Sequence, residues 1–165
     1  MEENYFDKRN KWLISEDISF LKYCKVENYK STGPGGQKKN KKSSAVRLTH
    51  LPTGLTVISD NYREQAVNKK IAVRKLKIKI AINILGPEIE LDRTVVSSAN
   101  DEYPLWIARV FDILKENRYD IREAARILKL TVSKLVKQIY KDKKIWDAIN
   151  SNRVLNNTYP LNPPK

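Results

Sequence analysis

The run Ser31-Thr32-Gly33-Pro34-Gly35-Gly36-Gln37 constrains this chain more than any other feature. Three glycines around a proline cannot continue a helix or a regular strand, so the backbone must break into a loop here. What flanks the break is ordered. Before it, Cys24-Lys25-Val26-Glu27-Asn28-Tyr29 alternates apolar and polar residues, the period of a half-buried strand. After it, Ala45-Val46-Arg47-Leu48-Thr49 reads as a strand, Leu51-Pro52-Thr53-Gly54 as a turn and Leu55-Thr56-Val57-Ile58-Ser59 as a second strand, together a hairpin. From Arg63 to about Leu85 there is neither Pro nor Gly, and Val67, Ile71, Ile78 and Ile82 recur at helical spacing. The spacing predicts one long helix, although Leu76 to Ile80 alternates like a strand. Upstream, Ser15 is placed to cap a short helix whose first turn holds Glu16 and Asp17.

Lys38, Lys39, Lys41 and Lys42 come directly after the loop, interrupted only by Asn40. They belong to a general excess: 32 Lys and Arg against 19 Asp and Glu give a formal net charge of +13 over 165 residues. An excess of this size points to a polyanionic partner, since each lysine or arginine that neutralises a phosphate releases a counterion. With one cysteine, Cys24, and one histidine, His50, the chain can form neither an intramolecular disulfide nor a Cys/His zinc cluster. No metal and no cofactor is expected. The start Met1-Glu2-Glu3-Asn4 is unlike a secretory signal and no stretch is long enough to span a bilayer, so a cytoplasmic protein without membrane contact is expected.

The loop also limits the chemistry. Gly35 and Gly36 let the backbone approach a ligand closely and leave Gln37 projecting from it. A glutamine amide neither titrates near neutrality nor serves as a nucleophile, so Gln37 is no general base. It can donate and accept hydrogen bonds, and its backbone N–H can face a developing oxyanion. Such a loop suits the positioning of water and the stabilisation of charge rather than covalent catalysis. For Gly-Gly-Gln alone, an ordinary Gly-Pro turn with a solvated lysine run after it would be a sufficient reading.

The longer pattern is more specific. Ser31-Thr32-Gly33-Pro34-Gly35-Gly36-Gln37, then Asn40-Lys41, then Ala45 through Leu55 closely resembles the signature of class-I bacterial and organellar peptide chain release factors. Gln65, Asn68, Ala72 and Leu76 match the same family's segment after the hairpin, and the resemblance covers roughly residues 20–85. It implies an α+β fold, with a small catalytic domain of mixed β-sheet and a long packing helix. It also implies ribosome-dependent hydrolysis of the peptidyl-tRNA ester. Gly35 and Gly36 would let the loop enter the peptidyl-transferase centre of the large subunit. Gln37 would stabilise the tetrahedral intermediate or departing oxygen and help admit water, with ribosomal RNA supplying much of the site. Lys30, Lys38, Lys39, Asn40, Lys41, Lys42 and Arg47 would contact ribosomal or transfer RNA. Gln37 would be a target for N-methylation by a glutamine methyltransferase. The chain departs from the family at Lys38 and Lys39, where histidine or asparagine then valine is usual. It departs again at Lys30, usually arginine, and in Tyr62-Arg63-Glu64-Gln65, which lacks the usual serine.

The organisation expected is a catalytic domain over 12–86, a linker over 87–103, a small all-α helix-turn-helix-like unit over 104–150 and an extended tail over 151–165. No separate codon-reading domain is expected, so the family's activity would be codon-independent release from stalled ribosomes. Pro104 starts the helical unit. Asp120-Ile121-Arg122-Glu123-Ala124-Ala125-Arg126-Ile127-Leu128-Lys129-Leu130 has the paired alanines that allow close helix approach, and Thr131 can cap the next helix. There Val132, Leu135, Val136 and Ile139 share one face, and Lys134, Lys137 and Lys141 lie roughly opposite. With Arg122, Arg126 and Lys129 they form a candidate nucleic-acid surface, directed here to small-subunit ribosomal RNA. The alternative function is a nucleic-acid-binding regulator that uses this unit and has an inactive glycine loop. Trp106 and Trp146 are expected to anchor the helical core, and His50 to be structural or an RNA contact.

Overall fold

The computed structural model describes residues 5–29, 44–91 and 95–164. Its elements in chain order are α1 (Tyr5–Ile14), α2 (Asp17–Leu21), β1 (Cys24–Tyr29), β2 (Ala45–His50), β3 (Thr56–Ser59), α3 (Gln65–Asn83), α4 (Tyr103–Glu116), α5 (Ile121–Ile127), α6 (Val132–Tyr140) and α7 (Lys143–Leu155). The class is α+β, as the sequence indicates. The sheet, expected to be mixed, is antiparallel throughout, in the order β1-β2-β3. Strands consecutive in the chain are neighbours in the sheet, an order that suits antiparallel pairs, whereas parallel pairs need a crossover.

Alternation decides which face is buried. Val46, Leu48, His50, Val57 and Ser59 point inward and are covered, while Arg47 and Ile58 point outward and are exposed. Helix α3 lies across the inner face with Ala72, Leu76 and Ile80 fully buried. Its covered face also takes in Val73, Ile78 and Ala81, and so is wider than the Val67/Ile71/Ile78/Ile82 stripe read from spacing. The cause is that α3 is packed on two sides, by the sheet and by α4. Trp106, Ile107, Val110 and Leu114 of α4 join the same buried cluster as Leu48 and Leu76, and Leu135, Ile139, Ile145 and Ile149 of α6 and α7 extend it.

Helix α1 has no counterpart in the sequence expectations, and it contributes a buried cation. Arg9 is fully buried. Its Nη1 donates to Asp112 Oδ1 at 2.8 Å and to the Ile84 carbonyl at 3.1 Å, and its Nη2 lies 2.7 Å from Asp112 Oδ2. One guanidinium thus joins α1, the end of α3 and α4. Gly86 is required beside it, because a Cβ there would overlap the guanidinium. Ser15 does not cap α2 as expected. Its hydroxyl donates to the Trp12 carbonyl at 2.8 Å, and α2 has no side-chain cap bond.

Within the stretch expected as a linker, Ile89 and Val96 are buried against the core. Helix α7 runs to Leu155, into the stretch expected as tail. Beyond it Asn157 takes a left-handed conformation at φ 57°, Thr158 N–H donates to the Arg153 carbonyl, and the chain folds back so that Leu161 N–H meets Asn150 Oδ1.

Candidate functional site

Gly35, Gly36 and Gln37 lie outside the described residues, as do Lys30, Lys38, Lys39, Asn40, Lys41 and Lys42. What the structure gives is the frame to which both ends of that segment attach. The last pair of the β1–β2 ladder is Tyr29 opposite Ala45, so the connection leaves and re-enters the sheet at one point. Arg47, also assigned to RNA contact, is exposed on the outer face, with its guanidinium carbon 5.3 Å from the centre of the Tyr29 ring. That stacking holds the cation beside the mouth of the connection.

The re-entry point is held by a buried amide. Asn68, in the first turn of α3, is fully buried. Its Nδ2 donates to the carbonyls of Ser44, at 2.8 Å, and Tyr62, at 2.7 Å. Its Oδ1 accepts from the Tyr62 N–H at 3.2 Å and from the hydroxyl of buried Ser59 at 3.4 Å. Only a primary amide offers two donors and two acceptor sites in so short a side chain. Asn68 therefore fixes the stem of the glycine segment, the β3–α3 connection and the end of β3 together.

The other end of the sheet is closed by aromatic packing. His50 is buried, stacked on Phe20 with ring centres 5.5 Å apart and edge-on to Trp12 at 4.5 Å, and its Nδ1 bonds the Thr53 hydroxyl at 2.9 Å. Burial lowers its pKa to about 4, so the ring is neutral and structural. Cys24 is half-buried at the start of β1, and burial pushes its thiol up to about 11, which leaves it unreactive.

The C-terminal candidates are all exposed. Arg122 and Arg126 lie on α5, Lys129 in the turn after it, Lys134 and Lys137 on α6, and Lys141, expected on the same helix, just past its end as the C-cap. Asp120 caps α5 and Thr131 caps α6, accepting from the Lys134 N–H at 3.2 Å. Between the two helices Lys129 is left-handed at φ 54°, and Leu130 N–H returns to the Ala125 carbonyl, which ends α5 sharply. Buried Ala124 and Ala125 let α5 approach closely. Arg126 is engaged by Glu123, whose carboxyl it holds below the ordinary value. Lys141 donates to Gln138 at 2.9 Å. Trp106 is fully buried, and Trp146, only partly covered, packs edge-on to Tyr140.

The sequence reading missed three lysines on a cleft between the sheet edge and α7, namely Lys75, Lys79 and Lys144. The i, i+4 spacing of Lys75 and Lys79 was a signal that they share a face. Nothing in the sequence indicated that Lys144 would lie across from them.

A three-stranded antiparallel sheet with one long helix on its inner face and an anchored connection on its central strand defines the structural class. The RF-1 domain model matches residues 17–100, about half of the chain. The chain belongs to the RF-1 domain family. Among curated relatives it is 42% identical over 81 residues to peptide chain release factor 2 of Helicobacter pylori, covering 49% of this chain and 21% of that protein. It is 50% identical over 110 residues to peptide chain release factor 2 of Corynebacterium aurimucosum, covering 63% of this chain and 30% of the relative. It is 52% identical over 110 residues to that of Mycobacterium leprae, covering 63% and 29%. The chain thus spans less than a third of the length of these relatives. No described helix is long and apolar enough to cross a membrane.

Proposed function

We propose that this chain hydrolyses the ester of peptidyl-tRNA on the ribosome, with Gly35-Gly36-Gln37 as the segment that enters the peptidyl-transferase centre. The observation that carries this reading is membership of the RF-1 domain family together with a rigid mount for that segment, the Tyr29–Ala45 pair on one side and the Asn68–Ser44 bond on the other. A neutral amide on such a mount can order a water and donate to the oxygen that gains charge in the transition state. Both functions need fixed geometry, which buried anchors provide. The ribosome would supply the remaining groups, so the protein itself needs no acid–base pair.

The reading extends to codon-independent release from stalled ribosomes. Its support is the set of basic helices that lie beyond the RF-1-type unit, join its core and suit phosphate contact. The test is peptide release from complexes stalled with and without a stop codon in the decoding site. Gln37→Ala removes the side chain but keeps the backbone N–H, whereas Gln37→Pro removes the N–H as well. Loss of one oxyanion donor costs about 10²–10³ in rate, so the proline variant should fall by at least that factor while still binding ribosomes. Wild-type release from the proline variant rules out the catalytic role of Gln37, and wild-type release from the alanine variant alone removes its side chain from that role and leaves the backbone N–H. Release only at stop codons rules out codon independence.

A second reading has one observation in its favour. Helix α6 comes after a sharp turn, contains no acidic residue and exposes Lys134 and Lys137, with Lys141 exposed just past its end, the layout of a helix that docks on a nucleic-acid duplex. Sequence-selective binding to duplex DNA would favour a regulator. Weak, uniform, salt-sensitive binding would favour ribosomal RNA as its target.

A further inference from the structure

The cleft between the free edge of β3 and α7 has a volume of about 630 Å³. Its floor is apolar, from Val57, Ile78 and Ile82, and its rim carries Lys75 and Lys79 of α3 and Lys144 of α7. No carboxylate is among the described residues that line it, and none of the three lysines has an acidic partner among the described ion pairs. The cleft is formed jointly by the family domain and by helices outside the matched residues.

The edge strand adds donors. The carbonyl of Leu55 accepts from His50 N–H, on the β2 side, so the alternating carbonyls of Thr56 and Ile58 turn to the free edge. There Lys79 Nζ donates to the Thr56 carbonyl at 2.9 Å and Lys75 Nζ to the Ile58 carbonyl at 3.3 Å. Each ammonium has three protons and spends one on the strand, leaving two for a ligand. The backbone N–H groups of Thr56 and Ile58 share that edge and face the same cleft. With the strand's acceptors occupied, the cleft offers donors and positive charge. Lysines along an edge also discourage pairing with another strand. That explains Lys75 and Lys79 but not Lys144, which comes from the opposite wall.

We propose that this cleft is a binding groove for the phosphate backbone of a single RNA strand, held by Lys75, Lys79 and Lys144. Charge complementarity selects a polyanion, and the small concave volume selects a short stretch of one strand over a duplex. The choice of RNA among polyanions rests on the proposed ribosomal function. Because the groove has one wall in each half of the chain, a strand lying in it bridges the sheet and α7.

The test measures binding of the full chain to a labelled 12-nucleotide single-stranded RNA across a range of salt, without ribosomes. The combined variant Lys75→Gln/Lys79→Gln/Lys144→Gln is compared with a charge-matched control, Lys11→Gln/Lys22→Gln/Lys25→Gln, whose lysines are exposed outside the cleft. For single strands each lost phosphate contact lowers the salt slope by about 0.7, so the cleft variant should lose about 2 in slope and about tenfold or more in affinity, and the control far less. Lys144→Gln alone, at an exposed side chain without a described hydrogen bond, should lose about 0.7 in slope and decides the matter if the triple variant does not fold. Equal losses in cleft and control variants overturn the proposal, as does an unchanged slope for Lys144→Gln. A glutamate decapeptide that binds as tightly as the RNA, through the same lysines, overturns the assignment of RNA in favour of an acidic peptide. Gln37→Ala should bind the oligonucleotide like the wild type, so failure of the release reading stays separate from failure of the groove.

Discussion

Replacing Asn68 tests the mount of the glycine segment most directly. Asn68→Ala deletes four hydrogen bonds, to the Ser44 and Tyr62 carbonyls and from the Tyr62 N–H and Ser59 hydroxyl. Each is worth about 1 kcal/mol net, and a buried partner left unsatisfied costs about 1–3 kcal/mol. Ser59 is fully buried whereas Tyr62 is exposed and can turn to water. The expected loss is therefore about 3 kcal/mol, readable as a shift in the urea midpoint at constant slope. Asn68→Asp is sharper. It keeps the shape but sets a carboxylate against two carbonyl oxygens, inside the protein. Burial and those oxygens raise its folded pKa above the unfolded value of about 3.9. The protonated form is then the one tolerated. The destabilisation should be least at low pH and grow as pH rises above about 3.9 until the folded carboxyl ionises. At pH 7 Asn68→Asp should be less stable than Asn68→Ala. Peptide release by the alanine variant, measured at a temperature where it is fully folded, should still drop, because the re-entry stem at Ser44 has lost its anchor. A midpoint shift equivalent to less than about 1 kcal/mol, or unchanged release, would refute the argument that Asn68 positions the stem.

Two further outcomes stem from the buried polar groups. The folded pKa of His50, about 4 against the ordinary 6.5, means that the unfolded chain takes up a proton first as pH falls. The stability present above pH 6.5 should then decline by about 3 kcal/mol between pH 6.5 and 4, and urea titrations of His50→Phe should lack that component. Asp112→Ala leaves Arg9 buried without its counterion and should cost about 3–5 kcal/mol, whereas Gly86→Ala, which crowds the same guanidinium, should cost about 1–3 kcal/mol. Thermal melts of the two variants rank them.

Strands and the long helix were legible because their signals are local. β1 matches its alternating run, β2 and β3 match theirs within a residue, and α3 fills the stretch without Pro or Gly. The covered face of α3 was not legible, since a helix packed on two sides shows no single stripe and two of its buried positions are polar, Asn68 and Lys77. Lys77 is satisfied by the Ser15 carbonyl, by Asp17 and by the ring of Phe20, a set of partners some sixty residues away in sequence that no window could reveal. Arg9 was hidden in the same way, because its partners at Ile84 and Asp112 lie far along the chain. For the site, the residue types around Gln37 carry the proposed chemistry, and that segment lies outside the described residues. Nothing local indicated that an asparagine on α3 would hold the carbonyl of Ser44.

These anchors bear on why the helical C-terminal half belongs to the same molecule. Helix α3 carries Asn68 near its first turn, Lys75 and Lys79 along the β3 edge, and a carbonyl for Arg9 just past its end. Helix α4 packs on its other side and supplies Asp112 to that same arginine. A rotation of α4 relative to α3 would have to break a buried ion pair and expose Trp106 and Leu114, both fully buried, at a cost of about 1.5–3 kcal/mol for each large apolar side chain. The helices beyond α4 are thereby held in a fixed relation to the strand pair from which the glycine segment departs. The proposed nucleic-acid contacts of α6 and α7 would therefore act on a body that also holds the strand ends Tyr29 and Ala45.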